Sequence, residues 1–309
     1  MSFSQTVKKE ILAQAIAAPC CVAAACYGIA CFGKYFDTRG LILHTENAQV
    51  ALWAKAMYKQ AGIDGKVYVK SKSAHIYEFA VKDPFEVEKM LAMFDHTGEE
   101  TALRIGHGNL SCGGCFSAFV AAAFLSCGTI VNPQKGYMLE FVSARYSLMR
   151  DFEALLQSHG FAPKYTTRNG ANVLYFKASE QIEDLLTLMG AGASALEIMQ
   201  LKVYRDLRNR ANRITNCETA NIDKTVAANR EVLEAIQYLA GQGALETLPE
   251  PLQEAARLRR AHPDLSLAEL AAASLQPVSK SGLNHRLRKL KDMAETLKER
   301  QSAKPASAR

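Results

Sequence analysis

CVAAACYGIACFG, residues 21–33, consists almost wholly of small and apolar side chains and ends in glycine. FSAFVAAAFLSCG, residues 116–128, has the same character and the same last residue. A helix that is apolar all round belongs in a core. The flanking patterns repeat as well, at an offset of about 95 residues. A strand pattern follows each helix, at 41–44 and 137–142. Helical patterns come next, at 47–61 and 145–159, each ending near a glycine, Gly62 or Gly160. Two further strand patterns follow in each half, 66–70 with 75–80 and 163–167 with 173–178, and helices at 84–94 and 181–189 close them. One matched helix could arise by chance, but a matched order of elements argues for duplication. The spacing predicts an αββαββα-like unit in tandem over residues 1–192, with repeats over about 1–95 and 110–192. The two small-residue helices would form the seam.

Lys8 and Lys9 precede the apolar run 15–33, a pattern shared with signal peptides and membrane spans. Pro19, the weak hydrophobicity of Ala, Cys and Gly, and the recurrence of the run inside the chain point instead to a buried helix. The expectation is a cytoplasmic, nucleoid-associated protein with no membrane contact. The chain has eight cysteines. Cys112 and Cys115 form a C-x-x-C pair, and Cys20 aligns with Cys115, so helix pairing would bring Cys20 and Cys21 toward them. Adjacent cysteines are poor geometry for one tetrahedral ion, and no histidine stands at ligand spacing, His107 being the nearest. Reduced, buried thiols are therefore expected, with no metal and no cofactor.

DLSLAELAAASLQPVSKSGLNHRLRKLK, residues 264–291, carries the strongest functional signal. Ser266 and Glu269 have capping-box spacing, so a helix should begin there, with Leu267, Leu270 and Ala271 as its apolar face. Pro277 interrupts helical structure, and Ser279 is suited to cap the next helix. There Leu283, Leu287, Leu290, Ala294 and Leu297 recur at three- and four-residue steps and form one buried stripe. Ser281, His285 and Arg288 fall opposite it, flanked by Asn284 and Lys289, with Lys280, Arg286 and Lys291 nearer the stripe edges. Cations contact phosphates, and Ser, Asn, His and Arg read base edges. With a third helix over 249–261, this is a helix-turn-helix pattern.

A length of 309 residues fits about two domains, and 49% hydrophobic content is enough for real cores. A net charge of +6 is modest, so attraction to nucleic acid must be local. A second basic run, Lys202, Arg205, Arg208, Arg210 and Arg213, reads as an exposed connecting helix or as auxiliary phosphate contacts. Helical pattern covers 194–213 and 223–239, and NRITNCETAN between them reads as a turn, with a DNA or partner surface as the alternative. A hinge is expected either there, at 212–221, or at 242–248. No Gly-rich phosphate loop, Ser/His/Asp set or paired catalytic carboxylates stand out, which argues against an enzyme.

The duplicated unit with its Ala- and Gly-rich seam resembles the LAGLIDADG homing endonuclease fold. In that family an acid precedes the seam glycine in each half, and the two acids hold divalent metal between DNA strands. Here Phe32 and Cys127 stand in those places. Hard cations take oxygen ligands, and neither residue supplies one. Asp37 lies in the loop beyond the first seam helix, and the second half has no acid nearby. The resemblance thus implies a nuclease ancestor that no longer cleaves; the alternative is a metal-dependent endonuclease that keeps the old activity.

Wider stretches resemble the WhiA family: MSFSQTVKKE at the start, LHTEN at 43–47, CGTIVNPQKGYMLEF at 127–141, NRITNCETANIDK at 212–224, HPDLSLAEL at 262–270 and SKSGLNHRLRKL at 279–290. The resemblance covers essentially the whole chain. It implies an α+β protein: a degenerate LAGLIDADG-like domain over 1–192, a helical linker over 193–245, a helix-turn-helix domain resembling sigma factor region 4 over 246–300, and a disordered tail over 301–309. It implies a transcriptional regulator in cell division and chromosome segregation, controlling sporulation genes in sporulating members. Double-stranded promoter DNA is the expected partner, with other regulators or RNA polymerase alongside. The residues expected on DNA are Ser279, Lys280, Ser281, Asn284, His285, Arg286, Arg288, Lys289 and Lys291, with Arg205, Arg208, Arg210 and Arg213 as auxiliaries.

Overall fold

The computed structural model describes residues 2–71, 75–274 and 276–302. It divides into two compact units, Met1–Arg205 and Asp206–Arg309. The first begins with a helix that hydrophobic periodicity had not flagged, α1 (Phe3–Leu12), whose Phe3, Val7 and Ile11 are buried. The seam helix α2 (Pro19–Phe32) follows, with Pro19 at its start, where a missing N–H costs nothing. Then come β1 (Tyr35–Asp37), β2 (Gly40–Thr45), α3 (Ala48–Gln60), β3 (Lys66–Ser71), β4 (Ile76–Val81) and α4 (Pro84–Met93). The second half repeats the order: α5 (Gly113–Cys127), β5 (Gly128–Ile130), β6 (Leu139–Ser143), α6 (Tyr146–Ser158), β7 (Lys164–Arg168), β8 (Ala171–Phe176) and α7 (Ser179–Leu188). Its antiparallel sheet, β5-β6-β8-β7, reproduces the β1-β2-β4-β3 order of the first. The duplication is therefore real at the level of topology. β1 and β5 lie outside the strand patterns read from sequence, because three residues are too few to show a period.

Glycine makes two parts of this plan possible. Gly62 and Gly160, just beyond α3 and α6, adopt φ of 79° and 84°, which lets each chain turn sharply out of its helix. At the seam, a Cβ on Gly28 would lie 2.7 Å from the Phe119 carbonyl oxygen and 2.8 Å from Ala122 Cβ. Only glycine allows α2 and α5 to approach this closely. Among the described residues no helix is long and apolar enough to cross a membrane; the apolar run of α2 is interior.

The second unit takes in most of α8 (Gly192–Gly241), a single helix of 50 residues. The turn expected at 212–221 is absent. Asn212, Asn216 and Asn221 all lie within the helix and are exposed, where asparagine costs only a few tenths of a kcal/mol. The helix ends instead at the Gly-Gln-Gly break, with Gly243 at φ 67°. Then follow α9 (Glu250–Ala261), α10 (Leu267–Ala272) and α11 (Lys280–Ser302). The capping box forms as expected: Ser266 Oγ accepts from the Glu269 amide, and Glu269 accepts from the Ser266 amide. Ser279 Oγ accepts from the Gly282 amide at 3.1 Å and starts α11. Leu283, Leu287, Leu290 and Ala294 form the anticipated stripe, packed with Ile236 and Leu239 of α8 and Leu252 of α9. Gln301 and Ser302 of the expected disordered tail belong to α11, and 303–309 lies outside the described residues.

Candidate nucleic-acid interface

On the face of α11 opposite its apolar stripe the charges change sign, while Lys298 and Arg300 are exposed elsewhere on the second half. Lys280, Ser281, Asn284, His285, Arg288 and Lys289 are exposed on the first half, whereas Asp292, Glu295 and Glu299 occupy the outer face of the second. The uninterrupted cationic and polar part of this outer face is thus the first three turns. Lys280, Arg288 and Lys289 have no side-chain partner among the described residues. Four other nominated residues, Ser279, Ser281, Arg286 and Lys291, are already engaged. Ser279 caps the helix and also bonds Ser281 Oγ at 3.1 Å. Arg286 is half-buried, 3.8 Å from Glu254, which also accepts from Ser274 Oγ. Lys291 pairs with Glu231 at 2.6 Å, and that carboxylate raises its pKa.

Beneath this face lies a residue with no place in the sequence-based site. Arg259 on α9 is fully buried. Its Nη1 donates to the carbonyl oxygens of Leu265 at 2.7 Å and of His262 and Pro263 at 3.4 Å, while Nε and Nη2 have no partner among the described residues. Burial lowers its pKa. It thus ties down the turn that leads into α10. A signal for it existed: Arg259 stands three and four residues beyond Ala256 and Ala255, on the apolar face of α9.

The auxiliary run does not act as one surface. Arg205 donates to the carbonyl oxygens of Pro133 and Gln134, both at 2.6 Å, and lies over the Tyr137 ring. It clamps the loop before β6. Arg208, Arg210 and Arg213 are exposed on α8, and Arg208 takes part in a further interaction within the protein.

At the C-terminal ends of the seam helices, cationic side chains bond the last carbonyl oxygens. Phe32 packs its ring 5.0 Å from Phe152 and 6.0 Å from Phe119. Arg145 donates to the carbonyl oxygens of Cys31, Gly33 and Lys34 at the end of α2. Lys8 donates to Leu125 O near the end of α5. Burial pushes the Cys127 thiol up to about 12. Asp37, expected in a loop, ends strand β1, and Arg39 grips its carboxylate through Nε and Nη2 and holds its pKa down. A helix C-terminus carries negative partial charge, which the Arg145 and Lys8 side chains offset here. Sequence gave no local signal for Arg145 or Lys8, since both contacts span more than a hundred residues.

The opposite ends of the same helices gather thiols. The sulfurs of Cys20, Cys21, Cys112 and Cys115 all lie within 4.8 Å of one another. Adjacent in sequence, Cys20 and Cys21 nevertheless both place their sulfurs in this group. Hydrogen bonds from Cys115, Cys20 and Cys21 bring Cys112 down to about 7, while burial pushes Cys21 up to about 12.

Two LAGLIDADG-like repeats on one chain with a helix-turn-helix unit define a DNA-binding architecture built on a nuclease-like frame. The description "WhiA LAGLIDADG-like domain" matches residues 116–208, and "WhiA C-terminal HTH domain" matches residues 211–294. The chain is 34% identical over 316 residues to the probable cell division protein WhiA of Clostridium botulinum, covering 97% of this chain and 99% of that one. It is 34% identical over 314 residues to its counterpart from Caldicellulosiruptor saccharolyticus, covering 96% of each. The chain belongs to the WhiA family. Its fold matches the crystal structure of full-length DUF199/WhiA from Thermotoga maritima with a TM-score of 0.62 at 21% identity, covering 96% of this chain and 99% of that one.

Proposed function

We propose that this protein is a sequence-specific DNA-binding transcriptional regulator acting in cell division, as the names of its relatives suggest. It reads promoter DNA with the first half of α11. The observation that carries this reading is the exposed row Ser281, Asn284, His285, Arg288 and Lys289, with unpaired cations beside groups able to bond base edges. Arg288 and His285 are the base readers. Lys280 and Lys289 contact phosphate. Ser279, Arg286 and Lys291 set the helix rather than read sequence. Arg210 and Arg213 add phosphate contacts, and Arg205 has a structural task.

In this reading residues 246–300 bind DNA, 193–245 connect, and the duplicated domain over 1–192 serves as a platform for DNA, other regulators or RNA polymerase. The protein works in the cytoplasm at the nucleoid, contributes to chromosome segregation, and controls sporulation genes where relatives sporulate. It does not cleave DNA. Arg145 and Lys8 at the seam ends would repel a catalytic cation, and Phe32 and Cys127 offer it no oxygen.

Titration of a cognate site, obtained by genome-wide capture, tests the reader. Arg288→Ala should weaken specific binding by about 1–3 kcal/mol and leave non-specific binding nearly unchanged. An equal loss on both DNAs, with a shallower salt slope, would make Arg288 a phosphate contact. Binding unchanged at two salt concentrations would reject α11 as the reader. A plasmid-nicking assay with Mg²⁺ tests the enzyme alternative, which chelator-sensitive cleavage would establish.

A further inference from the structure

Among the described residues, the thiol cluster at the head of the seam is the one concentration of metal-ligating side chains that DNA reading leaves unused. Cys20 and Cys21 lie in the first turn of α2, Cys112 stands immediately before α5, and Cys115 lies in its first turn. Cys112 Sγ is 3.4 Å from Cys115 Sγ, 3.5 Å from Cys20 Sγ and 3.6 Å from Cys21 Sγ. All four are free thiols. A tetrahedral zinc–thiolate centre has metal–sulfur bonds of about 2.3 Å, which sets its sulfur–sulfur edges at about 3.8 Å. The observed set, three edges slightly below that value and none above 4.8 Å, closes around one ion with little movement. An iron–sulfur cluster shares its thiolates among several irons and needs a wider ring.

Three features fit a built site rather than a crowded core. The Cys112-Gly-Gly-Cys115 loop has no side chains between its ligands, and a Cβ on Gly114 would lie 3.0 Å from Cys21 Sγ, in the space the sulfurs use. Both helix N-termini direct their positive ends at the cluster, which suits thiolates. Cys112 is exposed, so an ion has a way in. The other four cysteines, Cys26, Cys31, Cys127 and Cys217, take no part in the cluster.

We propose that Cys20, Cys21, Cys112 and Cys115 bind one zinc-class divalent cation as a closed tetrathiolate centre that fastens the two repeats at the head of the seam. All four coordination positions are filled by protein, so the ion is structural and not a Lewis acid for chemistry. Binding to the free thiols releases one proton for each thiolate formed, four from four neutral thiols.

The full-length protein, purified under reducing conditions without chelator, should carry one zinc per chain by elemental analysis. After metal removal, one equivalent of Co²⁺ should give the intense visible absorption of tetrahedral thiolate coordination together with sulfur-to-metal charge transfer. Cys112→Ser should weaken Co²⁺ binding by more than about tenfold, the loss seen when even an indirect partner of a bound metal is removed. Cys217→Ser should leave it unchanged. The wild-type Co²⁺ spectrum decides the matter even if Cys112→Ser fails to fold. A weak six-coordinate spectrum, equal binding by wild type and Cys112→Ser, or a metal-free chain with a disulfide among these four cysteines would each overturn the proposal.

Discussion

Gly28 and Arg259 show how single side chains set the limits of each unit. At Gly28 the obstacle to a side chain is the Phe119 carbonyl oxygen, 2.7 Å from a would-be Cβ, and backbone cannot rotate away as a side chain can. Alanine would gain about 1 kcal/mol in helix propensity. Gly28→Ala is nevertheless expected to lower the urea midpoint of the full chain, because forcing the seam apart costs about 1–3 kcal/mol or more; a raised midpoint would mean the seam yields freely. Arg259 poses the opposite problem, a buried cation using three carbonyl acceptors and leaving Nε and Nη2 unpartnered among the described residues. Arg259→Ala removes those donors and opens a cavity, and a loss of about 2–4 kcal/mol is expected in thermal unfolding. An unchanged melt would mean that the α9–α10 turn holds without it.

At the scale of elements, legibility followed burial. The seam helices, α9, α10 and α11 could be read because each meets a core through a repeated apolar pattern, and the Ser266 box and Ser279 cap are local hydrogen bonds between neighbours in sequence. β1 and β5, three residues each, leave no such trace. The middle of α8 misled for a related reason. Every residue from 206 to 228 is exposed, so no packing imprints a pattern, and the asparagines read as turn formers. The exposed row of α11 was legible as the face opposite the stripe, but the Lys291–Glu231 and Arg286–Glu254 pairs were not, because both acids come from other helices. Two outcomes follow for these elements. Ser266→Ala should cost about 1 kcal/mol, as loss of an N-cap does, and a change near zero in the melt would mean the box is idle. Amides at 206–228 should exchange with solvent faster than those of α2 and α5 in hydrogen-exchange mass spectrometry, since a helix with no buried face is only marginally stable. Equal protection would show that this stretch is packed in solution.

For the whole molecule the relevant balance is charge. The chain carries +6 at neutral pH, and each carboxylate protonated adds to that excess and to its self-repulsion. Five acids in residues 1–205, Asp37, Glu78, Glu100, Asp151 and Glu180, are held below their ordinary pKa. At Asp37 the Arg39 hydrogen bonds dominate. At Glu78 and Asp151 burial pushes upward, but donors outweigh it: His44 and Lys82 at Glu78, the Arg104 side chain and the Ile105 amide at Asp151. A folded-state pKa below the unfolded one stabilises the fold above the unfolded value, near 4, and that stabilisation is lost as pH falls through the depressed values. The urea midpoint should therefore hold at neutral pH and decline below about pH 4.5. Arg104 meets Asp151 with two hydrogen bonds of 2.7 Å, but its side chain is 66% exposed, so solvent weakens the pair. Asp151→Asn should lower the urea midpoint at pH 7 and show a shallower acid decline, converging on wild type where both carry a neutral side chain. Parallel acid curves for the two proteins would show that Asp151 does not drive the acid response.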